Sequence, residues 1–220
     1  WVGSEVTDPI EKEWVKTELA KQHCHPVFLP HHVAEDYYNG FCNNVLWPLF
    51  HYIPVPIEGI KMASKQWGAY CQANALFCKT VLDVWKKGDL VWVHDYHLML
   101  LPSLLRDAHP RIKVGFFSHV PFPASEIYRV LPVRKEILEG VLCSNLVGFQ
   151  THDYARHFET TCVRTLGTSA VERGVRYRDS LTHIAAFPIG ITPSKFLSCL
   201  ETDSVKARLR ELKAMYKGQK

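Results

Sequence analysis

The chain predicts a doubly wound α/β domain built on a parallel sheet. Three observations carry that expectation. Short apolar runs at Leu90–Val93, Ile112–Phe117 and Leu146–Phe149 break into polar, ring-bearing residues, as buried parallel strands do where their loops begin. Helical patterns separate these runs, and a β, α, β, α order implies right-handed crossovers. With 220 residues, 47% hydrophobic and 22% charged, the chain has the length and the ordinary globular composition to bury one sizeable core.

The elements follow in order. Asp8 and Pro9 read as a helix cap and first-turn proline for a helix over 10–22. Val27–Leu29, between Pro26 and Pro30, is a short strand or an extended piece. The stretch 31–50 is dense in rings and amides (Tyr37, Tyr38, Asn39, Phe41, Asn43, Asn44, Trp47, Phe50), which suits a core helix or a platform for a sugar. Trp67, Tyr70, Ala73, Leu76, Phe77, Val81 and Val84 mark an amphipathic helix over 64–85, ended by Lys86-Lys87-Gly88. After the first strand a helix is expected over 98–106. After the second, helical pieces are expected at 125–128 and 134–142. After the third, Thr151 caps a helix running to Leu166. A further strand is read at 183–187 and a mixed-charge helix at 202–217. In Leu90–Val93, alternation turns Trp92 away from the pocket and into the core.

Bulk properties narrow the function. The net charge is +4, with cations scattered except in the tail after Lys206, which favours anionic small molecules slightly and argues against nucleic acid. The seven cysteines form no C-x-x-C pair and mostly sit in apolar patterns, as free thiols in a reducing compartment do. No run spans a bilayer and no signal peptide is evident, so the expected location is cytoplasmic, with no membrane partner. His94 and His97, or His23-Cys24-His25, do not supply three or four convergent metal ligands from one element, so no metal is expected.

Chemistry concentrates at two strand ends. Val91-Trp92-Val93-His94-Asp95-Tyr96-His97 offers a carboxylate among imidazoles, and Gly115-Phe116-Phe117-Ser118-His119-Val120-Pro121-Phe122-Pro123 an imidazole against two prolines. Ligands of open α/β sheets bind at these carboxyl ends. Read alone, Asp95 is a turn or cap residue as readily as a ligand contact, and His119 a structural imidazole. Gly148-Phe149-Gln150-Thr151 is a strand-to-helix junction that suits either an anion cradle or close packing.

Those segments, with Leu46-Trp47-Pro48-Leu49-Phe50-His51-Tyr52 and Phe187-Pro188-Ile189-Gly190-Ile191, resemble the trehalose-6-phosphate synthase family in order and spacing. The resemblance implies the Rossmann-like N-terminal domain of a GT-B glycosyltransferase. It implies transfer of glucose from UDP-glucose to glucose 6-phosphate with retention, both sugars bound as substrates and no cofactor. It points to Tyr38 and Asp95 as glucose 6-phosphate contacts, to Trp47 as shaping the acceptor pocket, to His119 near the donor sugar and to Val120 at the reacting centre. Asp95 and His119 are the catalytic candidates. An ionised carboxylate accepts from vicinal hydroxyls, and Tyr38 and Trp47 join an apolar face to a polar edge.

On this basis residues 1–200 form the acceptor domain, with its start truncated. Residues 201–220 lead towards a nucleotide-sugar domain that is missing here, and the 220 residues alone are expected not to turn over substrate. Homo-oligomers and a synthase/phosphatase complex are the partner arrangements the family suggests. Ser4 stands where many active members have a second tryptophan and matches plant-type members fused to a phosphatase. A non-catalytic, regulatory sugar-phosphate-binding homologue therefore stays open.

Overall fold

The computed structural model describes residue 6, residues 8–54 and residues 57–218; Ser4 lies outside the described residues. The architecture is mixed α/β. Six strands, β1 (Leu90–His94), β2 (Lys113–Ser118), β3 (Leu146–Phe149), β4 (Ser169–Val171), β5 (Gly174–Tyr177) and β6 (Ser180–Ala186), form one sheet in the order β1-β2-β3-β6-β5-β4. β1, β2, β3 and β6 are parallel, and β5 and β4 add an antiparallel hairpin at one edge. This is the mostly parallel sheet the sequence predicts.

Its three parallel crossovers all step the same way, from β1 to β2 to β3 to β6, so right-handed connections put their helices on one face. On that face Val93, Val114, Phe116, Val147, Phe149 and Ile184 pack with Leu105, Ile137, Leu138, Val141 and Phe158 from the connecting helices. The other face carries Leu90, Trp92 and Leu146. Trp92, read as core from strand alternation, is instead 63% exposed. Alternation set the two faces correctly, but it does not say which one the described residues cover.

The helices follow the sequence reading closely, with instructive departures. Pro9–Ala20 is capped by Asp8, whose carboxylate accepts from the Glu11 N–H, and Thr151 caps His152–Leu166 through the Tyr154 N–H. The amphipathic helix runs from Ile57 to Val84. The helix expected over 98–106 is split into a 3-10 turn at Tyr96–Leu98 and a helix at Leu101–Ala108 that starts with Pro102 in its first turn, where a missing N–H costs nothing. Val27–Leu29 joins no sheet. The hairpin β4–β5 was not anticipated, nor was the helix Pro193–Leu200.

The chain divides into two compact units, one ending at Phe187 and one beginning at Pro188. The second consists of the helices Pro193–Leu200 and Asp203–Met215. All candidate site residues fall in the first. Among the described residues no helix is long and apolar enough to cross a membrane.

Candidate active site

The site starts from an unusual helix. Residues 31–50 wind continuously as helix, but Glu35–Leu46 is π-helical, and the Trp47 N–H still bonds back five residues to the Cys42 carbonyl. Tyr38 and Trp47 are nine residues apart, about two and a half turns of α-helix and therefore on opposite faces. With i→i+5 bonding a turn takes over four residues, so the same nine make about two turns and bring both rings onto one stripe. The stripe faces the loop after β1: Tyr38 stacks on His97 (5.6 Å between ring centroids, 15°) and Trp47 packs on Tyr96 (5.9 Å). Trp47 also lies against His51 at 3.9 Å and stays 43% exposed.

That loop is held from below by buried side chains. The Tyr70 hydroxyl donates to the Tyr96 carbonyl (2.7 Å) and accepts from the Met99 N–H (3.0 Å), while Tyr37 (3.0 Å) and Asn74 Nδ2 (3.1 Å) both donate to the His97 carbonyl. Burial pushes the Tyr37 and Tyr70 phenols far above their ordinary range, so both are permanent donors. Gly140 admits the loop from another side, since a Cβ there would stand 2.5 Å from the Met99 carbonyl oxygen. The sequence reading names Tyr37 and Tyr70 without a role in holding the loop, because a buried hydroxyl on an apolar helix face looks like any core aromatic, and it passes over Asn74.

Within this frame Asp95 takes φ 71°, a left-handed conformation uncommon for a residue other than glycine. Its N–H bonds the Phe117 carbonyl (2.8 Å), continuing the β1–β2 ladder past the strand end. It begins the Tyr96–Leu98 turn, but its side chain makes no cap bond. Asp95 Oδ1 instead accepts from the His119 backbone N–H at 3.1 Å, tying the two strand ends together. The second oxygen takes no hydrogen bond from the described residues. The structure thus joins Asp95 directly to His119 and sets Tyr38 and Trp47 beside the same loop.

Val120 is buried and offers backbone more than side chain, its carbonyl accepting from the buried Ser118 hydroxyl (3.0 Å). The loop beyond it is pinned by Tyr52, whose hydroxyl accepts from the Ala124 N–H (2.9 Å). His97 is held below the ordinary imidazole range by burial, against the pull of the Asp95 carboxylate, and its buried Nε2 has no partner among the described residues. Gly148 is explained by packing: a Cβ there would lie 2.7 Å from the Phe117 ring and 3.1 Å from the Phe187 ring.

Chemically, a half-used carboxylate, an exposed imidazole and two aromatic faces at the carboxyl ends of parallel strands suit a ring-shaped, polyhydroxylated ligand. Among the described residues no three His, Cys, Asp or Glu side chains converge as a metal cluster.

Comparison with known proteins shows the family and the fold. Residues 1–220 match the model of glycosyltransferase family 20. The chain is 49% identical over 98% of its length to a Pichia angusta alpha,alpha-trehalose-phosphate synthase [UDP-forming], of which it spans 46%. The fold resembles the N-terminal domain of Candida albicans trehalose-6-phosphate phosphatase (TM-score 0.78, 34% identity, 98% of this chain and 47% of that one). It also resembles the Escherichia coli trehalose-6-phosphate structure bound with UDP-2-fluoro glucose (TM-score 0.73, 30% identity, 86% and 42%). The chain spans less than half the length of the relatives it matches. With its whole length matched by one family model and a mostly parallel sheet ending in the Asp95–His119 junction, this chain belongs to glycosyltransferase family 20.

Proposed function

We propose that these residues form the acceptor-side domain of a UDP-forming trehalose-6-phosphate synthase, a retaining glycosyltransferase that moves glucose from UDP-glucose to glucose 6-phosphate. The observation that carries this reading is the convergence of Asp95, His119, Tyr38 and Trp47 around one loop. The chemistry follows from the product: a phosphorylated disaccharide made with release of UDP needs a UDP-activated sugar and a sugar phosphate.

In this reading the free oxygen of Asp95 accepts from acceptor hydroxyls while Tyr38 and Trp47 cover the sugar's apolar face. His119 donates to the donor sugar as charge develops on the leaving group, a preorganised electrostatic contribution. Retention without an obvious enzymic nucleophile on this domain is compatible with attack on the face the leaving group departs from. The acceptor hydroxyl oxygen bonds the anomeric carbon, the bond to the UDP oxygen breaks, and the departing phosphate takes the hydroxyl proton. Trapping a covalent glycosyl-enzyme would refute that step. The donor's uridine and phosphates are held by a second domain, so the 220 residues alone release no UDP, whereas the intact protein does so only with glucose 6-phosphate present.

A second reading has one observation behind it, the likeness to the N-terminal domain of a trehalose-6-phosphate phosphatase. There the same pocket binds a sugar phosphate without turnover, in a regulatory homologue fused to or complexed with a phosphatase. Isothermal titration of glucose 6-phosphate with a protein that never releases UDP would favour it.

A further inference from the structure

His94 has no part in the roles described so far. It ends β1, and its Nδ1 lies 3.0 Å from Nε2 of His119. Its ring packs on Trp92 (4.6 Å) and on His119 (5.2 Å), and the His119 ring packs on Phe117 (4.8 Å), while both imidazoles stay exposed. Two imidazole nitrogens at this distance share one hydrogen: one must carry it and the other must present a lone pair.

The direction follows from tautomer chemistry. If His119 donates Nε2–H to His94 Nδ1, both neutral rings keep their hydrogen on Nε2, the form imidazole side chains intrinsically favour. The reverse bond forces both rings into the less favoured tautomer. Burial and the neighbouring His119 disfavour a proton on His94, opposed by the Asp95 carboxylate. That carboxylate and His119 are the charged groups that act on His94, and the ring neighbours Trp92 and Phe117 carry no charge.

We propose that His94 is a positioning residue that accepts the Nε2–H of His119, fixing that ring's plane and tautomer so that Nδ1 alone is offered to a ligand, as an acceptor in the neutral ring and as the donor invoked above when the ring carries a proton. The pair then takes up a first proton without losing its bond, because a cationic His119 still donates to neutral His94. A second proton would set N–H against N–H and break it.

The kinetic half of the test rests on the proposed function; the spectroscopic half does not. In 15N-histidine-labelled protein, long-range proton–nitrogen spectra should show a 15N–15N coupling across the bond. They should also show both neutral rings carrying their hydrogen on Nε2. The coupling should vanish in His94→Ala, and His119 should then populate both tautomers. In the intact enzyme His94→Ala should lower kcat roughly tenfold to a hundredfold with little change in KM and move the acid limb of the pH profile. His94→Asn should restore most of kcat, since its amide oxygen takes the place of Nδ1, whereas His94→Gln, whose amide reaches the Nε2 position, should not. Absence of the coupling together with an identical His119 tautomer in wild type and His94→Ala would overturn the pairing. Coupling with unchanged kinetics in every variant would overturn the positioning role. A wild type that never releases UDP would overturn the functional reading and leave the spectra to decide the pairing.

Discussion

Two ends of the same sheet show how differently polar residues are used. At the amino-terminal edge, Arg106 lies beside a cleft of about 530 Å3 and has every donor engaged. Nε and Nη2 donate to the Cys143 carbonyl (3.3 and 3.0 Å), Nη1 to the carbonyls of Pro110 (3.0 Å) and Ile112 (2.6 Å), and Nη2 to Asn145 Oδ1 (2.9 Å). Asn145 also accepts from the Val114 N–H and, through its backbone carbonyl, from the His183 N–H, so it splices the starts of β2, β3 and β6. At the carboxyl edge, Asp95 spends one oxygen on His119, and Trp47 and His119 remain exposed. The arginine end is saturated by its own backbone, which is the signature of a brace. The aspartate end keeps hydrogen-bonding capacity in hand, which is what a ligand site requires. A cleft is therefore not by itself a ligand site here.

The sharpest way to break this contrast is at the brace. Arg106→Ala strands several carbonyls and Asn145 Oδ1 and should cost about 3 kcal/mol of stability, read from denaturant midpoints. It should leave ligand binding at the other end intact; an unchanged midpoint would remove the brace from the account. Under the site, Tyr70→Phe deprives the Met99 N–H and the Tyr96 carbonyl of their buried partner, at about 2 kcal/mol. Because the loop carrying Asp95 then loosens, activity should fall in this variant but not in Arg106→Ala at temperatures where both are folded.

A pH dependence refines the comparison further. His97 binds its proton less readily folded than unfolded, so the unfolded chain takes up more protons below the ordinary imidazole value of about 6.5. Stability should be full above that pH and decline as pH falls towards the depressed folded value, with His94 contributing in the same direction. His97→Phe keeps a ring against Tyr38 and should flatten the decline; parallel curves for the two proteins would exclude His97 as its source. The smallest effect is expected at Trp92, where Trp92→Thr should change stability by no more than about 0.5 kcal/mol, as for an exposed side chain. A loss of several kcal/mol would restore the core reading.

How much of this was legible in the sequence varied with the physical signal. The parallel strands and their helices were readable because apolar runs and Thr151 and Asp8 as caps act locally. The hairpin β4–β5 was not, because its turn places Arg173, and the next turn into β6 places Arg178, at positive φ, where sequence patterns look for Gly or Asn. Asp95, His119, Tyr38 and Trp47 were found through motif resemblance, but what brings Tyr38 and Trp47 together is π-helical winding, which helical periodicity assumes away. His94 was visible only as a neighbour of Asp95, since its pairing to His119 crosses two strands. Trp92 was misplaced because alternation names faces without saying what covers them.

The central claim is that Asp95 and its surroundings serve the sugar acceptor, and it is tested most directly by UDP release from UDP-glucose, with and without glucose 6-phosphate, by the intact protein and its Asp95→Asn variant. Asparagine tolerates positive φ and still accepts the His119 N–H, so the variant should fold normally. Acceptor-dependent release that falls by about a hundredfold or more in Asp95→Asn is the predicted result. Equal release by both proteins would contradict it.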